Sequence, residues 1–301
     1  MRRLFTCFFT PLLLACLLLP TRACAWNAAG HRIVADIAWQ QLDSPAQAWI
    51  DAALRQHPDY PKWQQRARSE NAEAIFCEAA TWADDIRNDP RYYDEQREQA
   101  PPAIPGLPDH ARHKDWHYLD LDAHGQVVDG QLDQQIDKLS QILRSTAKTA
   151  QIAWALPWLM HLVGDIHQPL HVGRHGDEGG NAVEIENPAN PRLPFTNLHS
   201  YWDDLPGPPW LRGKRLAERV AGLLDKYPAP AQGRTASWRN ESHRLLDQAY
   251  PPRDGSLLPI ADEAFRQASR QIAEQRLVAA GYRLGRLLAE IARTRVSRET
   301  H

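Results

Sequence analysis

The chain has 301 residues, 43% of them apolar and 24% charged, with 35 lysines and arginines against 37 aspartates and glutamates. That balance excludes a protein that grips duplex nucleic acid through a long basic face, so any contact with an anionic partner must be local. The length suits one substantial hydrophobic core.

Residues 1–25 pair Arg2 and Arg3 with an apolar run too short to span a membrane comfortably, and they end in Ala23-Cys24-Ala25. This pattern predicts a signal peptide cleaved after Ala25. A lipid anchor on Cys24 is disfavoured because Arg22 stands where small or aliphatic residues are preferred. Cleavage leaves residues 26–301 as one domain that is secreted or periplasmic, without a membrane anchor, and makes Trp26 the new N-terminus. Loss of Arg2, Arg3 and Arg22 leaves 32 basic residues against 37 acidic, a net charge of −5. Cys7, Cys16 and Cys24 leave with the segment, so Cys77 remains alone and no internal disulfide is expected. Cys77 lies in an apolar helical stretch and reads as buried and inert.

Helical periodicity dominates residues 26–301. It starts at Gly30-His31-Arg32-Ile33-Val34 and returns in the long stretch from Glu263 to Arg293. Short strands are expected only at Trp116 to Asp122 and Asn181 to Glu186, and Pro-rich runs at 101–108 and 206–209 read as loops. The Trp39, Trp49, Trp154 and Trp158 side chains occupy apolar helical positions and are expected in the core.

Several segments carry metal-ligating residue types. Asp84 and Arg87 stand three apart on a helix, pairing a possible ligand with a permanent cation, although an ordinary ion pair has the same spacing. In Asp115-Trp116-His117-Tyr118-Leu119-Asp120, regular strand alternation sends His117 to the face opposite Tyr118 and Asp120. All three can serve one site only if the backbone is irregular there. His161 and Asp165 lie four apart on one helix face, and Pro169 then diverts the chain so that His171 can turn back toward them. The same histidine-to-aspartate spacing recurs in His199 and Asp203. Trp26 lies five residues before His31, and a freed amino group is a competent nitrogen ligand.

In order along the chain these segments resemble the S1/P1 nuclease family of zinc-dependent single-strand nucleases and 3′-nucleotidases. The resemblance runs through Trp26 with Gly30-His31, Trp82-Ala83-Asp84 with Arg87, His117-Tyr118 with Asp120, and His161 to His171. It continues through Gly179-Gly180-Asn181, Asn197-Leu198-His199 with Trp202-Asp203, and residues 274–284. It implies an all-α domain of the phospholipase C / S1-P1 nuclease type holding three Zn2+ ions. The implied ligands are Asp84, His117, His161 and Asp165 for one ion, His171, His199 and Asp203 for a second, and Trp26 and His31 for a third, with Asp165 bridging the first and third. It further implies Arg87 as a cation steadying the transition state, Tyr118 as a base-stacking ring, and Asp120 and Asn181 as substrate contacts. The implied partners are single-stranded DNA and RNA and 3′-nucleotides, and the expected state is a monomer. The chain lacks the cysteine pairs of fungal members.

A zinc-dependent phospholipase C is the nearest rival, but that family spaces its N-terminal Trp further from the first His and has Glu where Asp203 stands. A non-enzymatic zinc-binding secreted protein does not explain the intact ligand set together with Arg87. Among the remaining histidines, His57, His110, His113, His124, His243 and His301 read as solvated, and His167 as standing behind the ligands. His175-Gly176-Asp177 reads as a loop bordering a substrate cleft. Asn240-Glu241-Ser242 fits a glycosylation sequon, of consequence only in a eukaryotic host.

Overall fold

The computed structural model describes residues 26–146, 148–253 and 255–299, with side chains through residue 295. The expected signal peptide, residues 1–25, lies outside the described residues, as does His301.

The architecture is all-α. Its helices are α1 (Ala28–Trp39), α2 (Ser44–Leu54), α3 (Tyr60–Ala67), α4 (Ala72–Ala79), α5 (Trp82–Asp85), α6 (Leu132–Ser145), α7 (Thr149–Asp165), α8 (Leu198–Asp203), α9 (Gly213–Lys226), α10 (Thr235–Arg244), α11 (Leu246–Ala249) and α12 (Glu263–Glu299). Helix α7 is apolar on every side, and each residue from Ile152 to Asp165 is buried, so it forms the centre of the core rather than an outer face. Around it one hydrophobic cluster runs from Trp26 to Ala292 and takes in Trp39, Trp154 and Trp158, with Trp49 packed against its edge. Cys77 is buried and unpaired.

Helix α12 lies along α1 and also touches α2, α6, α7 and α9. Two glycines one turn apart permit the close α1 contact. A Cβ on Gly281 would stand 2.5 Å from Ile37 Cβ, and one on Gly285 would stand 2.7 Å from Gln41 Cβ. No described helix is long and apolar enough to cross a membrane.

The strands are β1 (Leu119–Leu121), β2 (Val127–Gly130), β3 (Val172–Arg174), β4 (Glu184–Glu186) and β5 (Phe195–Asn197). β1 is central in a three-stranded sheet, antiparallel to β2 and parallel to β3, while β4 and β5 form an antiparallel pair. The strand expected over 116–122 shrinks to three residues, because Lys114–Trp116 form a 3-10 turn and His117 follows at φ −79°, ψ −13°. The expected strand over 181–186 likewise keeps only Glu184–Glu186, since Gly179 and Gly180 adopt positive φ and turn the chain before it.

Of the histidines expected to be solvated, only His124 is exposed among the described residues, and His57 and His113 depart furthest from the expectation. His57 is buried between Trp63 and Trp82, where its Nδ1 accepts from the Asp59 amide and burial lowers its pKa to about 3. His113 lies face to face with Trp116 at 3.7 Å and bonds Glu95 through Nδ1 and Asp109 through Nε2. Asp109 is four residues away, a spacing that here belongs to a loop rather than a helix.

Candidate metal centre

The ends of four helices and two turns bring the candidate ligands together. Asn27 caps α1 by accepting from the Ala29 and Gly30 amides, which fixes the first turn and with it His31. His161 and Asp165 project from the last turn of α7, and Asp84 comes from α5. His171 closes a 3-10 turn started by Pro169. On α8, capped by Asn197, His199 and Asp203 share a face.

Three groups result, each with ligand atoms within 4.8 Å of one another: His31, His161 and Asp165; Asp84, His117 and His161; and His171, His199 and Asp203. The first two share His161, whose ring stacks on His31 at 3.7 Å. The His161 Nε2 atom lies 3.4 Å from Asp165 Oδ2 and 3.7 Å from Asp84 Oδ1, and His31 Nε2 lies 3.4 Å from Asp165 Oδ1. His117 Nδ1 meets Asp165 Oδ2 at 3.0 Å, and Arg87 Nε stands 3.0 Å from Asp84 Oδ1.

The tautomers decide what such a cluster can hold. His161 Nδ1 donates to Ala80 O at 2.9 Å, His199 Nδ1 to Gly179 O at 2.6 Å, and His171 Nδ1 to His117 O. A carbonyl only accepts, so each Nδ1 carries the proton and each neutral ring turns a lone pair outward at Nε2. Yet His171 Nε2 faces His199 Nε2 at 3.1 Å, and His161 Nε2 faces two carboxylates. Acceptor confronts acceptor at the two histidines, and carboxyl oxygens crowd the His161 lone pair, an arrangement that a cation between these atoms makes favourable. In addition, both ring nitrogens of His31, His117 Nε2, His161 Nε2 and Asp165 Oδ1 are buried without hydrogen-bond partners among the described residues.

Electrostatics point the same way. Burial, reinforced by neighbouring imidazoles and Arg87, holds His31, His117 and His171 well below the ordinary imidazole value. Burial also pushes the Asp165 and Asp203 carboxyls well above theirs. Neutral imidazole is the ligating form, and a bound divalent ion supplies the charge that would keep the carboxylates ionised. Imidazole nitrogens mixed with carboxylate oxygens are a donor set that fits zinc.

Trp26 is fully buried; its indole donates to Gly164 O at 3.2 Å, and the next amide, Asn27 N–H, donates to Asp203 O at 3.1 Å. Trp26 and Asn27 are thus pinned between α7 and α8. His31 reaches α7 because residue 164 is glycine: a Cβ there would lie 2.9 Å from His31 Nδ1.

The irregular backbone at His117 lets that residue face α7 while Tyr118 and Asp120 turn elsewhere. Half-buried Tyr118 donates its hydroxyl to Asp129 on β2 at 3.0 Å. Asp120 lies 3.9 Å from His175, and burial followed by the Asp129 charge raises it to about 6. Asn181 donates to Glu178 O at 2.7 Å in the same turn whose Gly179 carbonyl holds His199. His167 turns away from the ligands, bonding Val163 O and Arg283 on α12. Residue types and spacing did not single out Gln168, which donates to Asp203 Oδ1 at 2.6 Å; only its place between His167 and Pro169 in the ligand-rich segment hinted at a role.

The sequence model of the S1/P1 Nuclease family matches residues 26–293. The chain belongs to the S1/P1 nuclease family. Within curated proteins it is similar to Endonuclease 1 of Arabidopsis thaliana, with 29% identity over 183 residues covering 60% of this chain and 53% of that protein. It is similar to Nuclease S1 of Aspergillus oryzae, with 24% identity over 200 residues covering 64% of this chain and 58% of that protein. Endonuclease 5 of Arabidopsis thaliana shares 45% identity over 51 residues, 17% of this chain and 16% of its own length. The chain thus spans little more than half the length of Endonuclease 1 and of Nuclease S1.

Proposed function

We propose that the chain is a zinc-dependent endonuclease that hydrolyses phosphodiester bonds of single-stranded DNA and RNA to 5′-phosphate products and also acts on 3′-nucleotides. The observation that carries this is the set of inward-facing acceptor atoms, led by His171 Nε2 against His199 Nε2, in a family whose relatives include proteins named endonuclease and nuclease.

Asp84, His117, His161 and Asp165 would hold one zinc ion, His171, His199 and Asp203 a second, and His31 with the Trp26 amine a third, which Asp165 also contacts. When bound, zinc lowers the pKa of water to about 7 and neutralises phosphate charge. The protein groups bind and orient around it. Arg87, beside Asp84, offers a permanent cation to phosphate oxygens. Tyr118 stacks on an unpaired base, Asp120 accepts from that base's edge, and Asn181 contacts the substrate. A duplex would have to unstack and unpair first, at a cost of a few kcal/mol, which favours single strands.

Cleavage after Ala25, with export to the periplasm or beyond, completes the site by freeing the Trp26 amine. The pinning of Trp26 and Asn27 between the ligand-bearing helices supports this. The test compares hydrolysis of single-stranded DNA, duplex DNA and phosphatidylcholine by the protein beginning at Trp26, before and after chelation. Turnover of single-stranded DNA that chelation abolishes and zinc restores is expected. Selective turnover of phosphatidylcholine, or activity untouched by chelation, would overturn the proposal.

A further inference from the structure

We propose that Gln168 is a positioning residue that orients the Asp203 carboxylate for the ion held with His171 and His199, an inference resting on the three-residue site proposed above. Gln168 is fully buried, and its Nε2 donates to Asp203 Oδ1 at 2.6 Å across 35 positions of sequence. Its main chain is tied to two further candidate ligands: its amide donates to Asp165 O at 2.9 Å, and its carbonyl accepts from the His171 amide at 3.1 Å. One residue therefore sets the relative placement of Asp165, His171 and Asp203.

Packing does not explain why an amide stands here. The Gln168 Oε1 atom is buried without a hydrogen-bond partner among the described residues, a cost that an apolar side chain of the same length would avoid. The Nε2 donor is the feature an apolar residue lacks. A metal-bound carboxylate only accepts, so an N–H at its edge fixes the plane in which its remaining lone pairs point.

The turn carrying Gln168 is itself anchored from behind. Arg276 on α12 donates to His167 O at 3.1 Å, Arg283 lies 3.0 Å from His167 Nε2, and Glu241 on α10 accepts from both arginines. Ser242 donates to Ile166 O at 2.6 Å. With residues 166 and 167 held at these points, the Gln168 side chain has a rigid base from which to act on Asp203.

A double-mutant cycle read by zinc binding tests this. Gln168→Met keeps length and removes the donor; Gln168→Leu also lacks a donor and serves where the methionine variant fails to fold. Zinc content and chelator competition are measured on the native protein, these variants, Asp203→Asn and the Gln168→Met/Asp203→Asn pair, with cooperative melting as the folding check. The affinity of one ion is expected to fall by about 10- to 100-fold in a folded Gln168 variant while the others are retained. The paired variant should be no worse than Asp203→Asn alone. Native zinc affinity in a folded Gln168 variant when Asp203→Asn loses an ion, or additive losses in the pair, would overturn the positioning role. Full zinc retention by Asp203→Asn would instead overturn the site on which it rests.

Discussion

At Asp165 a carboxylate with no exposure lies within 3.4 Å of three imidazoles, an environment that makes its charge costly unless cations share it. Asp165→Asn should therefore leave a folded protein but lower turnover on single-stranded DNA by at least about 10³-fold, the equivalent of several kcal/mol; near-native turnover would remove it from the site. Tyr118→Ala should instead act on binding, raising the Michaelis constant by an amount worth about 1–3 kcal/mol per base. An unchanged Michaelis constant with a lost chemical step would contradict stacking. The pKa directions set a proton balance as well. Burial holds the His31, His117 and His171 imidazoles toward the neutral form and raises the Asp165 and Asp203 carboxyls, so zinc displaces protons from those carboxyls as well as from the Trp26 amine. Zinc affinity should accordingly rise with pH until those groups have lost their protons, and calorimetry in buffers of differing ionisation enthalpy should detect proton release. Uptake of protons, or none moved, would refute this assignment. Residue types and spacing singled out candidate residues in the sequence, and the family resemblance alone implied their division among three ions. His57 and His113 were misread because their partners, Trp63, Trp82, Glu95 and Trp116, come together only through the tertiary fold.

Among the elements, α7 shows how little room the centre allows. His31 on α1 can lie against α7 only because Gly164 has no side chain, since a Cβ there would meet His31 Nδ1 at 2.9 Å. Gly164→Ala should displace the His31 ring, cost about 1–3 kcal/mol by overpacking, and lower zinc content. Native melting and full zinc content together would show that the two helices can separate without consequence. The long helices and the four-residue spacings on α7 and α8 were readable from periodicity, and Pro169 correctly marked where the chain leaves α7 behind. The short strands were not: β2, β3 and β5 are three or four residues long, too short for alternation to rise above loop composition. Their pairing matters, because β1 beside β3 places Asp120 next to Gly173, just past His171. Gln168 went unread for a related reason, as its partner lies on another helix.

Over the whole molecule, the acidic balance of residues 26–301, the absence of an internal cysteine pair and the buried cluster of imidazoles and carboxylates belong together. Such a centre is expected to contribute to folding as well as to chemistry, since the deprotonated ligands it needs are unfavourable when buried alone. An all-α domain was legible from the helical periodicity running nearly end to end. The convergence of α1, α5, α7, α8 and two turns on one centre was implied by the family resemblance and depends on contacts between residues as far apart as Trp26 and Gly164. The most direct test is the zinc content of the purified protein beginning at Trp26, determined by plasma mass spectrometry after dialysis. Three zinc ions per chain are expected, and fewer when a glycine precedes Trp26; a folded protein with no bound zinc that hydrolyses single-stranded DNA at full rate would contradict the central claim.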